Sequence, residues 1–345
     1  MRKLVLVGST VNPVHVRNYY NLIKDYFDDV LIIGTHKVDF CKCEVINFSL
    51  KNPFAVLNSI KKLRAILKEY NPTFVHIHQA NSIGYITSLA NKGKYPQIMT
   101  TWGDDVLTNP YRSQFHRRLA TVSLKNSDAI TADAQSMADS IHRFYKEVPV
   151  SILNFGIDLF EIDQSKENII YSNRLHNDLY NIDKIISGSI PFLKENKDWK
   201  LIIAAVGNNT DALKVQAKES GLSDQIEFVG FLSPEENRKN YFKAKVYVSI
   251  PETDGTAISL LESLAYGCLP IVSDIPSNNE WITNKVNGLI VPNFDINEGL
   301  QQVNQMDLNQ VQQLNKEIIQ KRATKEANRK GFIEIYKRLL NQKSH

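Results

Sequence analysis

The chain has 345 residues, of which 43% are hydrophobic and 23% charged, which is enough apolar material for ordinary cores and excludes a disordered or fibrous chain. The net charge of +4 is unevenly spread: residues 1–160 carry 19 Lys or Arg against 13 Asp or Glu, and residues 161–345 carry 22 against 24. A basic half points to an anionic partner, but no nucleic-acid motif accompanies it, so nucleic acid is not expected.

In chain order, short apolar runs at residues 4–8, 30–34, 74–78, 97–101 and 129–132 alternate with helical stretches, the clearest at 54–69. Runs of about five residues separated by helices predict a parallel, doubly wound sheet. After a strand at 150–153, the Gly-containing turn 154–158 marks a boundary. The pattern then repeats, with strands at 169–172, 201–206, 226–229, 246–250 and 269–273 and helices near 181–194, 210–219, 234–243 and 256–266. A long helical pattern over 316–341 closes the chain, with Phe332, Ile335, Tyr336 and Leu339 as its late apolar face. The expected fold is α/β, two doubly wound Rossmann-like domains facing a central cleft. Ligands in such folds bind beyond the strand carboxyl ends.

No apolar run reaches the ~18 residues needed to span a bilayer. The first run reads as a buried strand and not as a secretory signal, so a cytoplasmic protein is expected. Cys41, Cys43 and Cys268 cannot pair completely, and a lone C-x-C is weak as a zinc site; reduced thiols are expected.

The segment after the 246–250 strand carries the chemistry. Gly255 permits a tight turn, and a helix is expected from about Thr256, with Ile258, Leu261 and Ala265 buried. Its first amides lack intrahelical partners and suit a phosphate or a sugar oxygen. Asp254 suits either an N-cap or an acceptor of sugar hydroxyl bonds. Glu262, further along, suits either a solvated helix position or a bridge across a vicinal diol such as ribose.

Asp254 to Glu262 resembles the E-x7-E motif of retaining GT-B glycosyltransferases of family four, with Asp254 in place of the first Glu. Residues 263–272 (SLAYGCLPIV) resemble the continuation of that motif. Residues 154–158 resemble the interdomain N-G-V-D, residues 172–175 the G-R-L after the first donor-domain strand, and residues 221–231 the G-L-x-D-x-V-x-F-x-G segment. The resemblance implies a GT-B fold, with an N-terminal acceptor-side domain at 1–158, joined by a C-terminal helix at 325–345, and a nucleotide-sugar-binding domain at 159–324. It implies that Glu262 holds the ribose, Asp254 the donor sugar, and the amides of Gly255, Thr256, Ala257 and Ile258 the sugar and diphosphate. Arg174, just after a strand, has the fixed charge to neutralise a departing diphosphate. The family's Lys about five residues on is absent; Leu179-Tyr180-Asn181 stands there, and Lys184 lies too far along to replace it. Phe231 suits either the nucleotide base or the core.

In the first domain, residues 100–105 (TTWGDD) resemble the family's T-x-H-G-x-D segment, with Trp102 in place of the His that contacts the donor sugar. Asp105 matches the family's Asp and Asp104 is an added carboxylate; either suits the acceptor hydroxyl or a helix cap. His78, and His15 after the first strand, are acceptor-side candidates together with Trp102, while His76 reads as structural. The first loop is no G-x-G-x-x-G, which argues against a nicotinamide enzyme. The basic helix at 57–69, with Leu57, Ile60, Leu63 and Leu67 apolar, suits a crossover helix or one lying on an anionic inner membrane surface, with Arg112, His116, Arg117 and Arg118 adding charge.

No D-x-D occurs, so no metal and no cofactor beyond the donor is expected. The function implied is retaining transfer from a nucleotide-diphosphate sugar to a glycan or lipid-linked glycan in cell-surface polysaccharide or glycoconjugate synthesis. The alternatives are a non-catalytic nucleotide-sugar or glycan binder, motivated by Trp102 and the missing Lys, and a sugar-nucleotide epimerase.

Overall fold

The structure is a computed structural model that describes residues 1–161 and 164–342. The chain divides into two compact units, one of Met1–Gly156 together with the chain from Lys325 on, the other of Ile157–Thr324.

The first unit is built on seven strands: β1 (Lys3–Gly8), β2 (Asp29–Gly34), β3 (Lys42–Val45), β4 (Phe74–His78), β5 (Gln97–Thr100), β6 (Ala129–Ala132) and β7 (Val150–Ile152). They pair in parallel in the order β3-β2-β1-β4-β5-β6-β7. Helices cover both faces of the sheet, which is why its strands read as unbroken apolar runs. Along β1, Val5 and Val7 enter one core and Leu4 and Leu6 the other, all without exposure. Each such side chain contributes about 1.5–3 kcal/mol by leaving water. The helix Lys325–Gln342 packs Phe332, Ile335, Tyr336 and Leu339 into the second of these cores.

The second unit has six parallel strands, β8 (Glu167–Ser172), β9 (Lys200–Ala204), β10 (Ile226–Gly230), β11 (Ala244–Ser249), β12 (Leu269–Ser273) and β13 (Leu289–Val291), in the order β10-β9-β8-β11-β12-β13. Strand order therefore reverses between β1 and β4 in one sheet and between β8 and β11 in the other. Crevices beyond the strand carboxyl ends open at such switch points.

The structure corrects four local expectations. β3 and β13 are strands with no sequence signal read for them. The helix expected from Thr256 begins at Ile258. The pattern over 316–341 is two helices, Leu308–Arg322 and Lys325–Gln342, because Ile157 donates its N–H to Ala323 O at 2.8 Å and bridges Thr324, which holds that backbone out of the helix. Helix Pro53–Tyr70 buries Ser59, Leu63 and Leu67 but leaves Leu57 outside, 57% exposed. Among the described residues no helix is long and apolar enough to cross a membrane.

Candidate functional site

An ion pair marks the switch point of the second sheet. Arg174 follows β8 and Asp254 follows β11, and Arg174 Nη2 lies 2.6 Å from Asp254 Oδ2. Arg174 Nη1 donates to Ser259 Oγ at 3.0 Å, and the guanidinium sits 4.2 Å from the centre of the Tyr180 ring. The two charged side chains are 11% and 23% exposed. Burial by itself would lower the Arg174 pKa, but the Asp254 carboxylate together with Tyr247 and Tyr180 outweighs it, so the guanidinium is held above its ordinary value and stays charged. Glu252 N donates to Leu179 O at 3.0 Å, which ties the loop after β11 to the turn that carries Tyr180.

Asp254 is not a helix cap. The helix Ile258–Ala265 takes Ala257 as its N-cap, with no side chain bonded to its free amides. The helix buries Leu260, Leu261, Ser263, Leu264 and Ala265, with Ile258 partly buried against the same core. It ends in a left-handed Gly267 (φ 74°), where Cys268 N donates to Ser263 O at 2.9 Å, a glycine-dependent stop. Gly255 is buried. Thr256 is also buried, and its Oγ1 accepts from Trp281 Nε1 at 3.2 Å, so that side chain faces the core.

Glu262 is the fifth residue of this helix and is half-buried, with Asn237 Nδ2 at 3.5 Å from its Oε2. Asn237 also accepts from the Tyr171 hydroxyl and from Asn173 Nδ2 at 2.9 Å. Asn173 Oδ1 in turn accepts from Tyr247 at 3.1 Å. Burial first, and the Glu262 charge second or later, raises the pKa of Tyr171, Tyr241 and Tyr266, so these phenols stay neutral, with the Tyr241 hydroxyl donating to Ser259 O and the Tyr266 hydroxyl to Asp158 O. Phe231 follows Gly230 and is 77% exposed, which removes the core reading for it. Lys184 lies in the first turn of helix Ile182–Glu195, and its ammonium sits 4.1 Å from the Phe294 ring centre.

The first unit gathers rings at its own switch point. His78, at the end of β4, is fully buried, and its Nδ1 accepts from Trp102 Nε1 at 3.0 Å. That bond leaves the proton on Nε2, which has no hydrogen-bond partner among the described residues. Burial first, then the neighbouring His76 and His15, pushes the His78 pKa well below its ordinary value. His15 is exposed on helix Val14–Ile23, and its ring centre lies 4.6 Å from that of Trp102.

Asp105 is buried and holds its loop together. Its Oδ2 accepts from Ala80 N at 2.7 Å, and its Oδ1 accepts from Trp102 N and Gly103 N, both at 3.0 Å. Burial raises its pKa and those amides oppose the rise. Gly103 supplies φ 129°, a conformation other residues rarely adopt. Asp104 is exposed and accepts from the Thr108 hydroxyl at 3.1 Å. His76 is buried in a relay that runs from Tyr336 through His76 and Thr100 to Thr131, with steps of 2.6, 2.7 and 2.7 Å.

Ser259, Asn173 and Asn237 belong to the second-unit site but escape sequence reasoning, and Tyr180 enters there only as the place of a missing Lys. Asn173 alone had a signal, its place just after a strand.

Residues 158–326 match the family model described as Glycosyl transferases group 1, and residues 3–134 the model described as Glycosyl transferase 4-like. The chain is 23% identical over 294 residues to the alpha-monoglucosyldiacylglycerol synthase of Streptococcus pneumoniae, covering 76% of this chain and 64% of that protein. It is 30% identical over 118 residues to the GDP-mannose:cellobiosyl-diphosphopolyprenol alpha-mannosyltransferase of Xanthomonas oryzae pv. oryzae, covering 34% and 31%. The chain thus spans less than two thirds of the length of these curated relatives. Among solved structures it resembles a glycosyltransferase from Rickettsia africae, with TM-score 0.82 and 18% identity over 98% of each chain. It also resembles Anabaena HepE in complex with UDP, with TM-score 0.80 and 14% identity over 97% of this chain and 99% of that one. At such identities the likeness shows the fold.

Proposed function

The chain belongs to the GT-B glycosyltransferases of the family-four type, and from that membership we propose that it moves a sugar, with retention, from a nucleotide-diphosphate sugar to a hydroxyl of a glycan or lipid-linked glycan. The assignment is to transferases, so the non-catalytic binder and the epimerase are not carried forward. The observation that carries the donor reading is the Arg174–Asp254 pair at the β8/β11 switch point, beside the uncapped start of helix Ile258–Ala265 and with Glu262 on that helix.

In this reading Glu262 accepts from the ribose hydroxyls and Phe231 lies against the base. Arg174 and the backbone amides of Gly255, Thr256, Ala257 and Ile258 face the diphosphate and sugar, and Asp254 accepts from a sugar hydroxyl. As the bond from the anomeric carbon to the phosphate oxygen breaks, negative charge grows on the diphosphate. Fixed donors aimed there lower the barrier most. The acceptor oxygen bonds the anomeric carbon from the same face, and its proton passes to the departing phosphate oxygen, so no protein base is needed. The positive charge comes from Arg174 and the amides; the reading assigns no metal, and an unchanged rate in chelator is expected.

Asp105 acts as a positioning residue here, since its oxygens are already bonded to three backbone amides. His15, Trp102 and Asp104 are assigned to the acceptor side, with His78 behind Trp102. The names of two relatives, which speak of diacylglycerol and of diphosphopolyprenol, support a lipid-borne acceptor, and the "alpha" in both supports retention. Assembly of a cell-surface polysaccharide or glycoconjugate is the setting this suggests.

The test is a thermal-shift and hydrolysis screen with UDP-, GDP- and ADP-sugars, followed by NMR of the product. One nucleotide should stabilise the protein, and an α-linked donor should yield an α-linked product. No shift with any donor, or an inverted product, would overturn the reading.

A further inference from the structure

Three contacts hold the Arg174 guanidinium, and they differ in kind. Asp254 Oδ2 at 2.6 Å and Ser259 Oγ at 3.0 Å each accept from one of its terminal nitrogens. The third contact is with an aromatic face: the guanidinium carbon lies over the Tyr180 ring, 4.2 Å from its centre. A ring face attracts the cation without occupying N–H groups that a phosphate oxygen could accept from.

The three contacts fare differently when a donor arrives. In the function proposed above, on which this inference rests, Asp254 accepts from a sugar hydroxyl while Arg174 meets the diphosphate. The shortest restraint on Arg174 is then lost, and Ser259 offers a single hydrogen bond to a long, flexible side chain. That reading gives the diphosphate no second side-chain cation, so the rate depends on how well this one is held.

Tyr180 is fixed without help from Arg174. It ends the short helical turn Asp178–Tyr180 and packs, partly buried, against a core of the second unit. The next residue, Asn181, is buried in a left-handed conformation (φ 51°), and its side-chain amide donates to Ile250 O at 2.9 Å. Glu252 N donates to Leu179 O at 3.0 Å. The turn is thus pinned at two places to the backbone that leads from β11 to Asp254, so the ring stays in place while the Asp254 side chain changes partner.

We propose that Tyr180 is a positioning residue for donor turnover, whose ring keeps the Arg174 guanidinium aimed at the diphosphate once Asp254 has turned to the sugar.

The test uses the full chain carrying Asp254→Asn, which removes the competing charge, and inorganic pyrophosphate as the probe. Calorimetric titration compares it with the double variants Asp254→Asn/Tyr180→Leu and Asp254→Asn/Tyr180→Phe. The Tyr180→Leu change should weaken pyrophosphate binding by about tenfold, and Tyr180→Phe, which keeps the ring, by no more than about threefold, at matching thermal midpoints. With Asp254 intact, Tyr180→Leu should lower donor kcat by about tenfold and Tyr180→Phe should restore most of it. Equal affinity in all three proteins, or a Tyr180→Phe change as costly as Tyr180→Leu, would overturn the role of the ring and leave the donor site standing. Pyrophosphate binding by none of them would overturn the donor reading and this proposal with it.

Discussion

Arg174 Nη2 lies 2.6 Å from Asp254 Oδ2, so the cation assigned to the donor diphosphate is neutralised by the carboxylate assigned to the donor sugar. For both assignments to hold, the donor must exchange places with each partner. Breaking a fully buried pair from one side costs about 3–5 kcal/mol. The cost here is smaller because Asp254 is 23% exposed. Asp254→Asn should therefore melt at a lower temperature and bind inorganic pyrophosphate about tenfold more tightly, because Arg174 no longer has a competing carboxylate. Transfer should fall by about a hundredfold or more. Calorimetric titration with pyrophosphate checks this; equal affinity in both proteins would mean that Asp254 does not guard the cation.

Glu262 is assigned to the ribose, so Glu262→Ala should cost the donor its diol contact and leave the acceptor side untouched. A charge-assisted hydrogen bond is worth about 1.5–3 kcal/mol, which corresponds to roughly ten- to a hundredfold in donor kcat/KM. Steady-state kinetics at varied donor concentration measures this. A kcat/KM within about twofold of wild type would remove Glu262 from the site.

Gly207 sets the position of the loop that carries Arg174. A Cβ at this position would stand 2.3 Å from His176 O and 2.7 Å from His176 C, which are backbone atoms that cannot swing aside. His176 is further held by Asn209 N donating to its carbonyl at 3.0 Å. Gly207→Ala should push this loop away, lowering stability by about 1–3 kcal/mol and raising donor KM. Urea unfolding together with donor kinetics tests it; a wild-type midpoint would show that the loop accommodates a methyl group without strain.

Legibility in the sequence followed burial. Strands flanked by helices on both faces read as continuous apolar runs, and β1, β4 and β11 stand out for that reason. The edge strand β3 alternates Lys, Cys, Glu and Val over four residues, and β13 has three residues, so neither makes such a run. The break at Ala323–Thr324 lies inside an unbroken helical pattern and comes from a pairing with Ile157, far away in sequence. Leu57 fits the spacing of a buried face, but spacing alone does not say which side of the helix meets the sheet. At the site, Arg174 and Asp254 are readable because each follows a strand, and Glu262 because of its spacing from Asp254 in the motif. Ser259 reaches Arg174 across 85 residues of chain, and Tyr180 stacks on it where the family has a Lys, so no local pattern announces either contact.

The buried relay through His76 predicts an acid-sensitive first unit. Burial pushes His76 down to about 3, and His78 also titrates well below its ordinary value. Both are neutral when folded, whereas unfolded histidines titrate near 6.5. Below about pH 6.5 the unfolded chain therefore binds more protons, so stability is full above that pH and falls as the pH drops toward the folded value. The slope reaches about 1.4 kcal/mol per pH unit for each histidine. Tyr336→Phe removes a hydroxyl 2.6 Å from His76 Nδ1 and 2.8 Å from the Tyr19 hydroxyl, and should cost a further 1–3 kcal/mol or so at neutral pH. Urea unfolding across a pH series tests both; a flat profile between about pH 7 and about pH 4 would show that these rings are not held neutral.

Trp102 stands where the family has a His, and its indole N–H is bonded to His78 Nδ1 at 3.0 Å. An indole has one donor and no acceptor, so that bond uses its whole capacity. Trp102→Phe keeps an aromatic ring against His15 but leaves both nitrogens of a buried His78 without a partner, which should cost about 1–3 kcal/mol. Donor hydrolysis should survive this change, because the donor contacts assigned above lie on the second unit, whereas acceptor KM should rise as the ring that meets His15 shifts. Comparing the thermal midpoint, hydrolysis without acceptor, and transfer separates these effects. Lost hydrolysis at an unchanged midpoint would instead put the indole on the donor sugar, in the role of the histidine it replaces.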